Sequence, residues 1–433
     1  MAWPIQKGEP STLSSRMDAQ QIRNDLDVID ASLAPQAGLG LRVRIAGEGK
    51  EVIGRCLTMP DQVKKLAGMT RLIVLLLSFA WLAVPGTAEP LSQAQLEDRL
   101  ETVREAAGLV ALGAVVADAD GTILGLAVTG ERVRGSGDAV QPDDAWHIGS
   151  NTKMLTALLY GRLVEQGEAS WGATLPELLP DLADEMDPAW RDVTIEHLLS
   201  HRSGLAPNPG VLWLLTSRAS SAPVETQRTR LARGFLSKPP DGEVGAFSYS
   251  NLGYMIAGAA IDRIAGRLGY ENYETLFLST LVPDGEGWGF GPPPAGVEGH
   301  SKGLFGGLKG DGKGRDADNP AALAPAGTLH VPLAAHARFL SQFLRPDATH
   351  QKLLTPYPDS ESDYALGWGV ASLESIGNVY AHNGSNTIWL STVRLAPDAG
   401  LVVIVNTNSF SDDVAEAVSG LNLELLEAYS DPG

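Results

Sequence analysis

Three short strips of this sequence carry side chains whose types and spacing suit acyl transfer to a serine. The first is His147-Ile148-Gly149-Ser150-Asn151-Thr152-Lys153. If a helix begins at Ser150, the Ser150 hydroxyl and the Lys153 amine lie one turn apart on one face and can meet. A lysine shielded from water has a lowered pKa, and its neutral amine can take the serine proton, so the serine becomes a nucleophile without a histidine. The competing reading is a serine at a helix start with a solvated lysine. Against it, Lys153 is one of only six lysines after Ala88 and sits in an otherwise apolar helix start, where an idle ammonium is expensive to bury.

The second strip is Tyr249-Ser250-Asn251, placed before an apolar helix. A tyrosine hydroxyl can relay a proton to a leaving group, while the Asn251 amide can hold Lys153 and a substrate carbonyl at once. The competing reading is a tyrosine packed under a turn and an asparagine capping the next helix. The third strip is His382-Asn383-Gly384-Ser385. Strand alternation would place His382 and Gly384 on one side, a cationic or hydrogen-bonding ring next to a gap for substrate backbone. The Ser385 N–H could then pair with the Ser150 N–H as an oxyanion hole. Otherwise this strip is a surface turn with an exposed histidine. His197 and His201 are four residues apart and could bind a metal, but no third ligand accompanies them, so core or turn hydrogen bonding is the expectation.

Elements must bring these strips together. Leu91 to Ala107 has apolar residues spaced three and four apart behind Ser92 and reads as an opening helix. Leu112 to Gly130 places two β-favouring runs around Asp118-Ala119-Asp120-Gly121, a hairpin. Asn151 to Glu165 reads as a core helix starting at Ser150 and stopped near Gly167, and Gly253 to Arg267 as another. Between them, 171–235 reads as short helices broken by Pro176, Pro180, Pro188 and Pro207. The Gly-, Pro- and charge-rich stretch 282–327 reads as long surface connections, with 301–320 open between lid and idle insertion. Asn386 to Leu395 and Gly400 to Asn406 read as strands around a Pro-Asp-Ala-Gly turn, and Asp413 to Tyr429 as a closing helix. This order predicts an α+β fold, an antiparallel sheet packed by helices from both chain ends plus a mainly helical lobe over about 151–330.

The 433 residues can bury a sizeable core, and 44% hydrophobic with 20% charged residues excludes a wholly disordered chain. A net charge of -19 disfavours nucleic acid as a partner. There is no GxGxxG at a strand-to-helix turn and no GxxxxGK[ST], so nucleotide binding lacks its usual geometry. One cysteine, Cys56, permits neither an intrachain disulfide nor a multi-thiolate metal site. Leu72 to Val84 is a 13-residue apolar run behind Lys64, Lys65 and Arg71, followed by Gly86 and Ala88. It is too short to span a bilayer and suits a signal peptide over 59–88, with 1–58 as a non-native upstream extension or a disordered segment and 89–433 as the exported, cysteine-free catalytic domain. No stable membrane anchor is expected once the signal is cleaved, and the location expected is periplasmic or secreted. No heptads fix an oligomeric state.

Taken in order, the three strips resemble Ser-x-x-Lys, Tyr-x-Asn and Lys-or-His-x-Gly of the serine beta-lactamase and penicillin-binding-protein superfamily. The likeness is greatest to class C beta-lactamases, D-alanyl-D-alanine carboxypeptidases and related esterases. It runs from about Leu109 to Asn408 and includes Thr194 to Leu205, Pro325-Ala326-Gly327 and Leu366-Gly367-Trp368-Gly369. The resemblance implies that Ser150 is acylated, Lys153 accepts or relays its proton, Tyr249 serves as base or acid, and Asn251 orients Lys153 and the substrate. His382 stands where lactamases usually have lysine. The reaction so implied needs no cofactor and no metal. Its substrate is a small ester, an amide or a D-Ala-D-Ala-type peptidoglycan stem; a class C-like beta-lactamase or a slowly turning-over penicillin-binding sensor is the alternative.

Overall fold

The computed structural model describes residues 90–430 apart from 295, 303–306, 313, 315 and 316. The expected signal at 59–88, the upstream 1–58 and Cys56 lie outside the described residues. In chain order the elements are α1 (Gln93–Ala106), β1 (Ala111–Asp118), β2 (Ile123–Gly130), β3 (Ala145–His147), α2 (Thr152–Glu165), α3 (Leu175–Leu178), α4 (Ile195–Leu199), α5 (Val211–Ala219), α6 (Val224–Leu236), α7 (Asn251–Leu268) and α8 (Tyr273–Leu281). There follow β4 (Gly289–Phe290), β5 (His300–Lys302), β6 (Leu308–Gly310), α9 (Ala324–Gly327), β7 (Leu329–Pro332), α10 (Leu333–Leu340), α11 (Ala348–Leu354), β8 (Gly369–Leu373), β9 (Gly377–Ser385), β10 (Leu390–Ala396), β11 (Leu401–Thr407) and α12 (Asp412–Ser430).

The main sheet has six strands in the order β2-β1-β11-β10-β9-β8, and every neighbouring pair is antiparallel. The first and last strands of the chain thus lie side by side, which is the α+β architecture expected from the sequence. β1, β10 and β11 are buried on both faces, and their alternate residues feed two cores. Val115, Val393 and Ile404 enter the larger core with α2 and α7, while Leu112, Val116 and Val405 pack under α1 and α12. A double-sided sheet explains why these runs read as continuously apolar. Each terminal helix lays a 3.6-period stripe on the second core, Leu96, Leu100 and Val103 from α1 and Val418, Leu421 and Leu425 from α12. Ser92 starts α1 with a capping box to Gln95.

A second, three-stranded sheet in the order β3-β7-β4 leads the chain into the first strip. The stretch 171–235 folds into short helical pieces with Pro176, Pro180 and Pro188 in their first turns, as their fixed φ favours.

Two departures from the sequence reading bear on the site. The stretch 282–327 is not surface throughout: Ala322, Leu323 and α9 are buried, and the small side chains of α9 pack against both α2 and α7. Gly258 makes room there, since a Cβ on it would come within 2.2 Å of the Pro325 ring. The third strip, moreover, ends a strand, β9, that hydrophobic alternation does not reveal, while Asn386 to Trp389 forms a bend ahead of β10. Among the described residues no helix is long and apolar enough to cross a membrane.

Candidate active site

β3 delivers the chain to a tight 3-10 turn, Gly149–Asn151, and only then does the α-helix α2 begin. The helix therefore starts two residues later than the spacing suggested, and the tighter turn still keeps its side chains in register. Gly149 takes a φ of +51°, and Thr152 pins the turn by donating to the Gly149 carbonyl at 2.7 Å and accepting from the Leu329 N–H. Ser150 is half-buried on this turn, with its Oγ 2.9 Å from Lys153 Nζ.

Lys153 is fully buried, and its other polar partners are the Asn251 Oδ1 at 2.7 Å and the Ala326 carbonyl at 2.6 Å. Neither partner carries charge, so burial holds the amine well below the ordinary lysine range. A neutral amine has two N–H groups and one lone pair. The Asn251 and Ala326 oxygens can only accept, so they take the two hydrogens, and the lone pair is left for Ser150. The Asn251 amide is oriented in turn by Asn208, whose Oδ1 accepts from Nδ2 at 2.7 Å. Ala326 and Asn208 were not singled out from the sequence. Pro325-Ala326-Gly327 was noted only as a familiar turn, and a main-chain acceptor leaves no residue-type signal.

The ring of Tyr249 lies 4.9 Å from Lys153 Nζ by its centroid and stacks on His201 at 4.2 Å. His201 is buried in a left-handed turn, φ 61°, and its Nδ1 accepts from the Ser250 N–H, which places this ring beneath the second strip. His197 faces elsewhere: its Nδ1 accepts from the Thr194 N–H at the start of α4. The two histidines thus serve separate turns.

His382 is 7% exposed and its Nδ1 lies 3.1 Å from Asn151 Oδ1. Asn151 uses its own NH2 on the Ser391 carbonyl and hydroxyl, so its oxygen accepts and His382 Nδ1 carries the hydrogen. Burial first, then the nearby Lys153, pushes the ring down to about 3. His382 is therefore a neutral ring at physiological pH, and the cationic option is withdrawn: burial penalises the charge, and no carboxylate among the described residues bonds the ring to compensate it.

Gly384 and Gly149 let two backbones touch. A Cβ on Gly384 would fall 1.9 Å from the Ile148 carbonyl oxygen and 2.8 Å from the Ser150 N, and one on Gly149 would fall 2.5 Å from the Ser385 N. The Ser150 and Ser385 amides are accordingly neighbours across this contact. Gly384→Ala should push the end of β9 off the turn and lower turnover about 100-fold, the order of losing one oxyanion donor, with the fold retained by circular dichroism. Wild-type turnover in the folded variant would contradict this.

A family model and two named relatives place this chain in the beta-lactamase, penicillin-binding-protein and esterase superfamily. The Beta-lactamase family model matches residues 97–426, and the chain belongs to that family. A protein of Amycolatopsis lactamdurans named Penicillin-binding protein 4 is 26% identical over 386 residues, covering 79% of this chain and 94% of its own. Esterase EstB of Burkholderia gladioli is 33% identical over 203 residues, 42% of this chain and 48% of that protein. Among solved structures, the octameric penicillin-binding protein homologue from Pyrococcus abyssi superposes with a TM-score of 0.62 at 20% identity, covering 77% of this chain and 78% of that one. These likenesses support a hydrolytic activity; the last supports the fold alone.

Proposed function

We propose that the protein is a serine hydrolase that works through an acyl-enzyme on Ser150. The observation that carries this reading is the 2.9 Å approach of a fully buried, uncharged-partnered Lys153 amine to the Ser150 hydroxyl. The substrate carbonyl enters between the Ser150 and Ser385 N–H groups. Lys153 takes the hydroxyl proton as Oγ bonds to the carbonyl carbon, and the oxyanion is held by the two amides. As the carbon–leaving-group bond breaks, Tyr249 passes its proton to the departing oxygen or nitrogen and is reprotonated by the Lys153 ammonium, so both groups end acylation as they began it. Water then attacks the ester, its proton returns through the same groups, and Ser150 is released. Asn251 holds Lys153, and His382 offers its Nε2 lone pair at the leaving-group side.

The neutral His382 favours small esters and amides whose leaving group is uncharged, since a carboxylate gains no ion pair from this ring. A D-Ala-D-Ala carboxypeptidase, a class C-like beta-lactamase or a slow penicillin-binding sensor is the second reading, favoured by the likeness, over 79% of this chain, to a protein named as penicillin-binding. We also propose export with cleavage near Ala88. Intact-mass measurement after a fluorophosphonate, a beta-lactam and a D-Ala-D-Ala peptide tests the reading. Hydrolysis predicts a Ser150 adduct with at least one probe and turnover of a nitrophenyl ester; a stable stoichiometric adduct without product favours the sensor, and no adduct with any probe overturns both.

A further inference from the structure

We infer that Asp318 is a positioning residue for this site: its carboxylate ties the strip carrying Ser150 to the strip carrying Ser385 and so fixes the spacing of the two oxyanion amides. The inference rests on the acyl-enzyme reading above.

Asp318 is 5% exposed, and each carboxylate oxygen serves a different strip. Its Oδ2 lies 2.9 Å from His147 Nε2, while His147 Nδ1 accepts from the Gly149 N–H at 3.1 Å. That second bond settles the tautomer: Nε2 bears the hydrogen and donates it to Asp318. His147 is itself fully buried, and the Gly149 whose N–H it holds immediately precedes Ser150. The other oxygen, Oδ1, accepts from Asn386 Nδ2 at 2.9 Å and from the Asn319 N–H at 2.7 Å. Asn386 immediately follows Ser385.

The tether sits where the sheet gives least help. The β9–β10 register ends at Ser385 opposite Leu390, and the chain then bends through Thr387 at a φ of 77°. The Asn386 side chain is the bond from this bend to Asp318, and bonds to an ionised carboxylate are stronger than neutral ones. Asp318 is in turn held from α5, where Arg218 Nη2 donates to its main-chain carbonyl at 2.7 Å. None of the three strips contains Asp318. It comes from the charged 301–320 stretch, and the contact makes Asp318 itself part of the site's support.

The two amides must stay aimed at one oxygen, so a small displacement of either weakens the transition state more than substrate binding. The test uses the full chain with a nitrophenyl ester, reading kcat and KM separately, and the infrared carbonyl band of the Ser150 acyl-enzyme. Asp318→Ala should lower kcat about tenfold or more with KM within about twofold, and should move the acyl carbonyl band to higher frequency as oxyanion-hole bonds weaken. Asn386→Ala, which cuts only the Ser385 arm, should shift both readouts the same way by less. Asp318→Asn should shift both readouts as well, because in either orientation its NH2 faces a donor, the His147 Nε2–H or the Asn386 NH2. If Asp318→Ala does not fold, Asn386→Ala decides. A folded variant with wild-type kcat and an unmoved carbonyl band overturns the inference, as does a fall in kcat matched by loss of active sites on titration. A wild-type enzyme that forms no Ser150 adduct would instead overturn the reading on which it rests.

Discussion

Ser150→Ala is expected to abolish the covalent adduct with every serine-directed probe and to drop ester turnover by roughly a million-fold, the scale on which serine hydrolases lose activity without their nucleophile. The expectation is severe because no neighbouring group can substitute. Thr152 is committed to the Gly149 carbonyl and the Leu329 N–H, and the Ser385 hydroxyl accepts from the Thr387 N–H. The fold should survive, since removing one half-buried oxygen opens no apolar cavity and Lys153 keeps its bonds to Asn251 and Ala326. Intact mass and a thermal melt measured on the same sample separate the two effects. An undiminished adduct in the variant would place the nucleophile elsewhere, and a collapsed melting transition would make Ser150 a structural residue first.

The elements that the sequence made legible are those with one job. α1 and α12 face a core on a strict period, β1, β10 and β11 read as unbroken apolar runs because both of their faces are buried, and the Asp118-to-Gly121 turn has the residues its geometry demands, with Gly121 at a φ of +75°. β9 was hidden because it has two jobs. Its inward positions hold His382 and Gly384, residues chosen for chemistry and close approach, so the aliphatic alternation that announces a strand is missing. The buried α9 was hidden for a related reason: Ala, Pro and Gly read as loop, although their smallness is what lets the Ala326 carbonyl reach Lys153.

Within the site, legibility followed side-chain type. Ser150, Lys153, Tyr249, Asn251 and His382 are polar residues in short, spaced strips, and the structure draws them into one cluster around the lysine amine and the Tyr249 ring. His382 was legible as a site residue but its charge was not, because the state of an imidazole depends on burial contributed by distant elements. Asn208 and the Asp318 tether were illegible for the same reason, while His201 was legible as a core or turn histidine but not as the ring beneath Tyr249. Asp318 lies 171 positions from His147 in the chain, and only the folded contact gives it meaning.

Lys153 carries the second large effect. Lys153→Met keeps an unbranched side chain and removes the amine, and it should cost about 10²- to 10⁴-fold in kcat/KM, the usual worth of a positioned general base. Lys153→Arg separates a base from a mere positive charge: a guanidinium stays protonated, so Arg should be as inactive as Met if the lone pair acts, and partly active if charge alone matters. The pH profile fixes the sign. Because burial lowers this pKa, the amine is neutral and competent at pH values where an ordinary lysine is charged, and activity falls on the acid side as the amine takes up a proton. His382 cannot supply that limb near neutrality, since its own titration lies at about 3. The same shift bears on stability: between the folded pKa and about 10.4 the unfolded chain binds a proton that the native state does not, so wild-type stability rises with pH across this window. Lys153→Met should lose that dependence along with the acid limb. A variant that keeps both would show that the titrating group lies elsewhere and that the lysine merely fills the pocket beneath Ser150.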